Sequence, residues 1–187
     1  MFELRIFRLL FAWLLLAGPS LLIEAAESSI YFFHVVRPDY LSYSYEIQLA
    51  RNIGLDFSRE LKSVQLVYAS PDNACSPLDN AEEIKGAVVL VERGHCSFLT
   101  KAIESEKAGA LAVLVTDSKG GGDEFIEMVA DETTRKAYIP AAFMPGQNGK
   151  MFRQHLLYKS APIFINIPLN LTFTLLENVR KPPWELW

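Results

Sequence analysis

Two stretches in the middle of the chain are apolar without interruption, Ala87–Val91 and Ala110–Val115. A short apolar run bounded by glycine reads as a strand buried on both faces. Between the two runs Leu99, Ala102 and Ile103 recur at helical spacing, which predicts a helix with one inward stripe. Lys101, Glu104, Glu106 and Lys107 then fall on its solvent side. Ser97 is placed to cap that helix and Gly109 to end it. The passage therefore reads as strand, helix, strand: a crossover unit with parallel strands.

The flanking pattern is mostly strand-like. Ile30–Val36, Val64–Ala69 and Ile163–Ile167 are rich in β-branched and aromatic residues. Tyr40–Tyr45 alternates weakly and is read as a further strand. Ile139–Met144 reads as an edge strand, because Pro140 cannot donate to a ladder. Met151–Tyr158 predicts a second helix, and Phe125–Ala130 a short helical piece. Asp117–Asp123 (DSKGGGD) is a flexible loop. Strands on either side of a central crossover give a compact α+β, β-rich domain built on a curled sheet.

The first residues follow another logic. Arg5 and Arg8 precede the apolar run Leu9–Ala17, and small residues follow at Ser20, Ala25 and Ala26. That order describes a secretory signal peptide over 1–26, with a signal anchor as the alternative. No later apolar run is long enough for a membrane span of about 20 residues. The expected product is secreted through the ER and Golgi, with no membrane span after signal cleavage. An Asn170-Leu171-Thr172 sequon suits that route and makes Asn170 a glycosylation candidate. The 187 residues carry a formal charge of -4, so no nucleic-acid partner is expected.

The chain has two cysteines, Cys75 and Cys96. In an oxidising compartment an even count favours a disulfide. It would close a loop of roughly 20 residues and contribute about 3 kcal/mol by loop entropy. Cys96 as a thiolate nucleophile beside His95, or as a zinc ligand with Cys75 and His95, is the competing reading. No Gly-X-Ser-X-Gly elbow occurs. The acids Asp117, Asp123, Glu124 and Glu127 do not have the ligand spacing of an EF-hand. The three glycines at 120–122 lack the Lys-Ser/Thr of a phosphate loop. No catalytic residue, metal or cofactor is expected.

Gly86-Ala-Val-Val-Leu-Val-Glu-Arg-Gly94, Cys96, Phe98, Lys101-Ala102, Ala108-Gly109-Ala110, Ile139-Pro140 and Gly149 together resemble the protease-associated (PA) domain. The resemblance implies a curled sheet or partial β-barrel flanked by two helices. It also implies a non-catalytic module, of the kind inserted in subtilases and zinc peptidases, that binds peptides or proteins or guides substrate access. The chain then divides into a signal peptide (1–26), N-terminal strands (27–54), a PA-like domain (55–165) and a C-terminal extension (166–187). The expected recognition surface lies in the loops Glu92–His95, Asp117–Glu124 and Pro145–Gly149. Arg93, His95, Asp117 and Asp123 are the candidate contacts to an unidentified protein or peptide in the secretory pathway or outside the cell. Arg93 would either pair with a partner carboxylate or make an internal bond. The competing functional readings are a hydrolase or metal-dependent enzyme using His95, His155 and the loop acids, and a luminal sorting or chaperone-like adaptor.

Overall fold

A computed structural model describes residues 30–159, 161–169 and 179–185. The expected signal peptide and Asn170 lie outside them. Seven strands carry the fold: β1 (Ile30–Arg37), β2 (Ser44–Leu49), β3 (Leu61–Tyr68), β4 (Val88–Glu92), β5 (Ala112–Thr116), β6 (Ala141–Met144) and β7 (Ile163–Ile167). Among the described residues three α-helices join them, α1 (Ala81–Ile84), α2 (Phe98–Lys107) and α3 (Gly146–Tyr158), of which the short α1 was not expected.

The strands hydrogen-bond in the order β1-β2-β6-β5-β4-β3-β7, and β7 returns to β1. The expected partial barrel is therefore closed. The reason lies in β7, whose two edges are both used: Ile165 faces Val35 on β1 and Val64 on β3. Closure leaves no free sheet edge to template aggregation. β1 and β2 are integral to this barrel rather than a preface to it.

Strands β3, β4, β5 and β6 run parallel to one another, through pairs such as Leu66 with Val88, Leu90 with Leu114, and Val115 with Phe143. Every residue of β4 and β5 is buried, as their uninterrupted apolar runs require. Alternate residues feed two cores. Val88, Leu90 and Leu114 point into the barrel with Phe33, Tyr45 and Ile165. Val89, Val91 and Val113 face outward against Leu99 and Ala102 of α2. Phe152 of α3 joins the inner core, stacked edge-on against Tyr45 at 4.7 Å.

Local departures from expectation have physical causes. Asp39–Leu41 forms a 3-10 turn after Pro38, so β2 starts only at Ser44. The 125–130 segment is extended and bridges Arg51 through Val129. Its buried and half-buried residues are Ile126, Met128 and Ala130, a spacing of two that no helix can present to one side. β6 is an interior strand, between β2 and β5. Pro140 precedes it, so its missing N–H costs no ladder bond, while its carbonyl accepts from Val113 at 2.9 Å. Lys101 is fully buried rather than solvent-facing. The buried residues of α2 are Leu99, Lys101, Ala102 and Ser105, a face that includes it.

Candidate functional site

Because β4, β5 and β6 are parallel, their C-terminal ends open on one side of the barrel, where ligands commonly bind in parallel sheets. The three segments leaving those ends are the loops singled out from the sequence, and they touch one another. Arg93 N donates to Thr116 O at 2.8 Å, and its guanidinium reaches Asp117 Oδ1 at 3.4 Å. Asp117 Oδ1 also accepts from Ser118 N at 2.8 Å. Asp123 Oδ1 crosses to the next segment and accepts from Gln147 N at 2.6 Å, in the first turn of α3. A groove of about 490 Å³ lies between the Asp117–Glu124 loop and α3, walled by Lys119, Asp123, Gln147, Lys150 and Arg153.

Two glycines permit this convergence. A Cβ on Gly149 would sit 1.6 Å from Thr116 Oγ1, so α3 approaches the end of β5 as no larger residue allows. A Cβ on Gly121 would sit 2.2 Å from Asp117 Oδ2. The glycines at 120–122 therefore include one that folds the loop down over a buried carboxylate.

The predicted contacts separate by exposure. Arg93 keeps 42% of its side chain exposed while bonded to Asp117, so the internal bond and an outward-facing guanidinium coexist. His95 is exposed, with φ 68° in the left-handed region. Asp123 is exposed at the helix start. Asp117 is only 7% exposed and supports Arg93 rather than meeting solvent. Glu92, expected in the same loop, is buried. Its Oε1 accepts from Arg153 of α3 at 3.0 Å and from the Tyr68 hydroxyl at 2.5 Å. Burial, then that hydrogen bond, pushes the Tyr68 phenol far above the ordinary tyrosine range.

Cys75 and Cys96 are joined as a disulfide, with Cα atoms 5.7 Å apart. It ties the loop before α1 to the entrance of α2. There Ser97 Oγ accepts from Thr100 N at 3.1 Å and donates to Asp131 Oδ2 at 2.5 Å. This hydrogen bond and those from Thr133 hold the Asp131 carboxyl down at about 2. Beneath the bridge lies Lys101, whose Nζ donates to Asn73 O at 2.5 Å and Gly94 O at 2.8 Å. Burial lowers this ammonium from the ordinary lysine range to about 8.

The groups an enzyme reading would use are scattered. His155 is 3% exposed in the last turns of α3, about 12 Å along the helix from Gln147 at 1.5 Å per residue. Its Nε2 meets the Ala161 carbonyl at 2.7 Å, which can only accept, so Nδ1 accepts from Tyr40 OH at 2.5 Å. His34 lies against Ser44 Oγ at 3.3 Å in the wall of the barrel. Glu127 pairs with Arg51 at 3.1 Å. No three His, Cys, Asp or Glu side chains among the described residues are grouped to hold a metal ion.

The Pro-rich C-terminal segment is expected from its sequence to be extended and to pack back on the domain. Residues 179–185 return to the barrel beside α3. Trp184 Nε1 donates to Asn148 Oδ1 at 2.8 Å, and Asn148 Nδ2 donates to Glu185 Oε1 at 2.5 Å. Arg180 lies over the Tyr43 ring at 4.7 Å. Burial raises the Glu185 carboxyl, against the pull of Asn148 and Lys181. Asn148, Lys101 and Arg153 all escaped sequence reasoning. Arg153 had a signal, since it follows Phe152 in the row Gly149, Phe152, Arg153, Leu156 that faces the barrel.

Residues 62–152 match the family model of the PA domain. A PRADC1-like protein of Drosophila melanogaster is 42% identical over 160 residues, covering 83% of this chain and 82% of its own. The human ER degradation-enhancing alpha-mannosidase-like protein 3 is 33% identical over 139 residues, 71% of this chain but 15% of its own. Among solved structures, an aminopeptidase from Aneurinibacillus sp. strain AM-1 superposes with a TM-score of 0.51 at 16% identity, covering 75% of this chain and 30% of that one. At that identity the likeness concerns the fold alone. No helix among the described residues is long and apolar enough to cross a membrane. The closed barrel with its parallel crossover, the matched segment and the near full-length relative agree: this chain belongs to the family of PA-domain proteins.

Proposed function

We propose that this PA-domain protein is a non-catalytic binding module that takes a protein or peptide partner at the C-terminal end of its parallel strands, in the secretory pathway or outside the cell. The observation that carries the reading is the gathering of three loops around a guanidinium that is both anchored and exposed. Asp117 holds Arg93 from below, and the exposed part of the side chain retains donors for a carboxylate on a partner. Asp123 and His95 border the same end, so the surface offers both signs of charge. A rigid scaffold presenting mobile contact loops is the usual arrangement of binding sites.

The compartment rests on the signal-like N-terminus and the sequon, and on relatives such as one named for ER degradation. The non-catalytic reading rests on what the reactive groups are doing. Both sulfurs are bonded to each other, His155 has both ring nitrogens engaged, and the loop acids serve as an ion-pair partner and a helix cap. Proximity labelling in secreting cells, followed by binding of the purified partner to wild type and Arg93→Ala, tests the proposal. A loss of roughly tenfold or more in affinity is expected, the scale of a charged hydrogen-bonded contact. Unchanged binding of every captured partner would remove this surface from the account.

A further inference from the structure

Lys101 is a buried cation without a counter-ion. Among the described residues no carboxylate lies within ion-pair distance of its ammonium, and its side chain is wholly inaccessible. A buried charge is costly unless its surroundings use it. Two of its donors serve the carbonyls of Asn73 and Gly94, the residues flanking the two halves of the disulfide. The third contact is the sulfur itself: Nζ lies 3.6 Å from Cys75 Sγ.

A neutral disulfide sulfur is a weak acceptor and gains little from an ammonium. A thiolate gains much more, because its hydrogen bond is charge-assisted and lies in a region shielded from water. The carbonyls of Asn73 and Gly94 also face Cys75 Sγ, at 3.5 and 3.7 Å, and oppose charge there, but both accept from the same ammonium, which offsets them and favours negative charge on Cys75. The two sulfurs are not equivalent in this respect. No hydrogen-bond donor among the described residues reaches Cys96 Sγ. Next to Cys96, the Ser97 hydroxyl takes up the Thr100 N–H at the helix start. Cys75 and Cys96 are both half-exposed, so an external thiol can reach the bridge from either end and the ammonium alone distinguishes the two sulfurs.

We propose that the Cys75–Cys96 bridge is a thiol-exchange site with a fixed polarity. A thiolate from a low-molecular-weight thiol or a dithiol oxidoreductase attacks Cys96 Sγ. A new sulfur–sulfur bond forms to Cys96, the Cys75–Cys96 bond breaks, and Cys75 departs with the electron pair as a thiolate held by the Lys101 ammonium. A second thiolate then takes the Cys96-bound sulfur and releases the reagent as its own disulfide, leaving both cysteines reduced. Departure of the better-stabilised thiolate is the faster branch of such exchange. The bridge fastens the loop carrying Arg93, so opening it would free one wall of the proposed binding surface.

The test is the position of the adduct. The oxidised full-length protein is treated with glutathione under native conditions, quenched with N-ethylmaleimide and mapped by peptide mass spectrometry. Glutathione is expected on Cys96 and maleimide on Cys75, by roughly tenfold over the reverse, the scale of a thiol acidity difference of a unit or more. In Lys101→Met that excess should disappear. A purely structural lysine would change stability without moving the ratio. Should Lys101→Met not fold, the wild-type ratio measured across pH replaces it, and the excess should fall above about pH 8 as the ammonium deprotonates. An even split, an adduct mainly on Cys75, a ratio indifferent to pH or to Lys101→Met, or a bridge that opens only on global unfolding would overturn the proposal.

Discussion

Arg153 and Glu92 form a buried ion pair at 3.0 Å, with 7% and 10% of their side chains exposed. It joins the middle of α3 to the last residue of β4, and the Tyr68 hydroxyl completes it from β3. Removing one partner leaves the other buried and unpaired. Arg153→Met should therefore lower stability by about 3–5 kcal/mol, the range for a broken buried pair, read as the shift of a urea unfolding midpoint. Glu92→Gln should cost less, since its amide oxygen still accepts from the guanidinium.

The buried ammonium makes stability rise with alkaline pH. Folding depresses the titration of Lys101 from 10.5 to about 8, so above that pH the unfolded chain binds more protons than the folded one. By linkage the unfolding free energy then increases with pH. The denaturant midpoint of wild type should climb between about pH 8 and about pH 9.5, below the range where tyrosines ionise. Lys101→Met should show no such climb. A flat profile in the wild type would contradict the burial of the charge.

Gly149→Ala tests how closely α3 meets the sheet. The added methyl would fall 1.6 Å from Thr116 Oγ1 and 2.4 Å from Thr116 Cβ. Overpacking of this kind costs roughly 1–3 kcal/mol or more. Thermal unfolding should show the loss, and Thr116→Ala in the same chain should restore only part of it, because the Cβ clash stays.

Trp184→Ala should release the C-terminal segment without unfolding the barrel. Asn148 is 2% exposed, and both ends of its amide are bonded by the segment. Loss of the indole leaves a buried acceptor unpaired, worth about 1–3 kcal/mol, unless the segment lifts and admits water. Amide exchange should quicken at residues 179–185 while β4 and β5 keep their protection.

What the sequence revealed about this fold was local. The uninterrupted runs of β4 and β5, the Ser97 cap, the left-handed Gly109 and the pairing of Cys75 with Cys96 each follow from neighbouring residues or from counting. Barrel closure does not, because the bond partners of β7 are distant in the chain and period-two patterns do not name a partner. Arg93 shows the same limit at the surface: its residue type suggested either an inner or an outer role, and the geometry gives it both. Lys101 and Arg153 were harder still. A charged residue in a helical row is ordinarily assigned to solvent, and only the carbonyls or carboxylate awaiting it explain why each is inside.

The seam between β1 and β7 has one more consequence. His34 meets Asn166 across it, so the first strand among the described residues waits for the last one. A nascent chain leaving the ribosome would expose the apolar inner face of Phe33 and Val35 through most of its synthesis. Closure of the barrel therefore depends on β7 being available, rather than on any single early element.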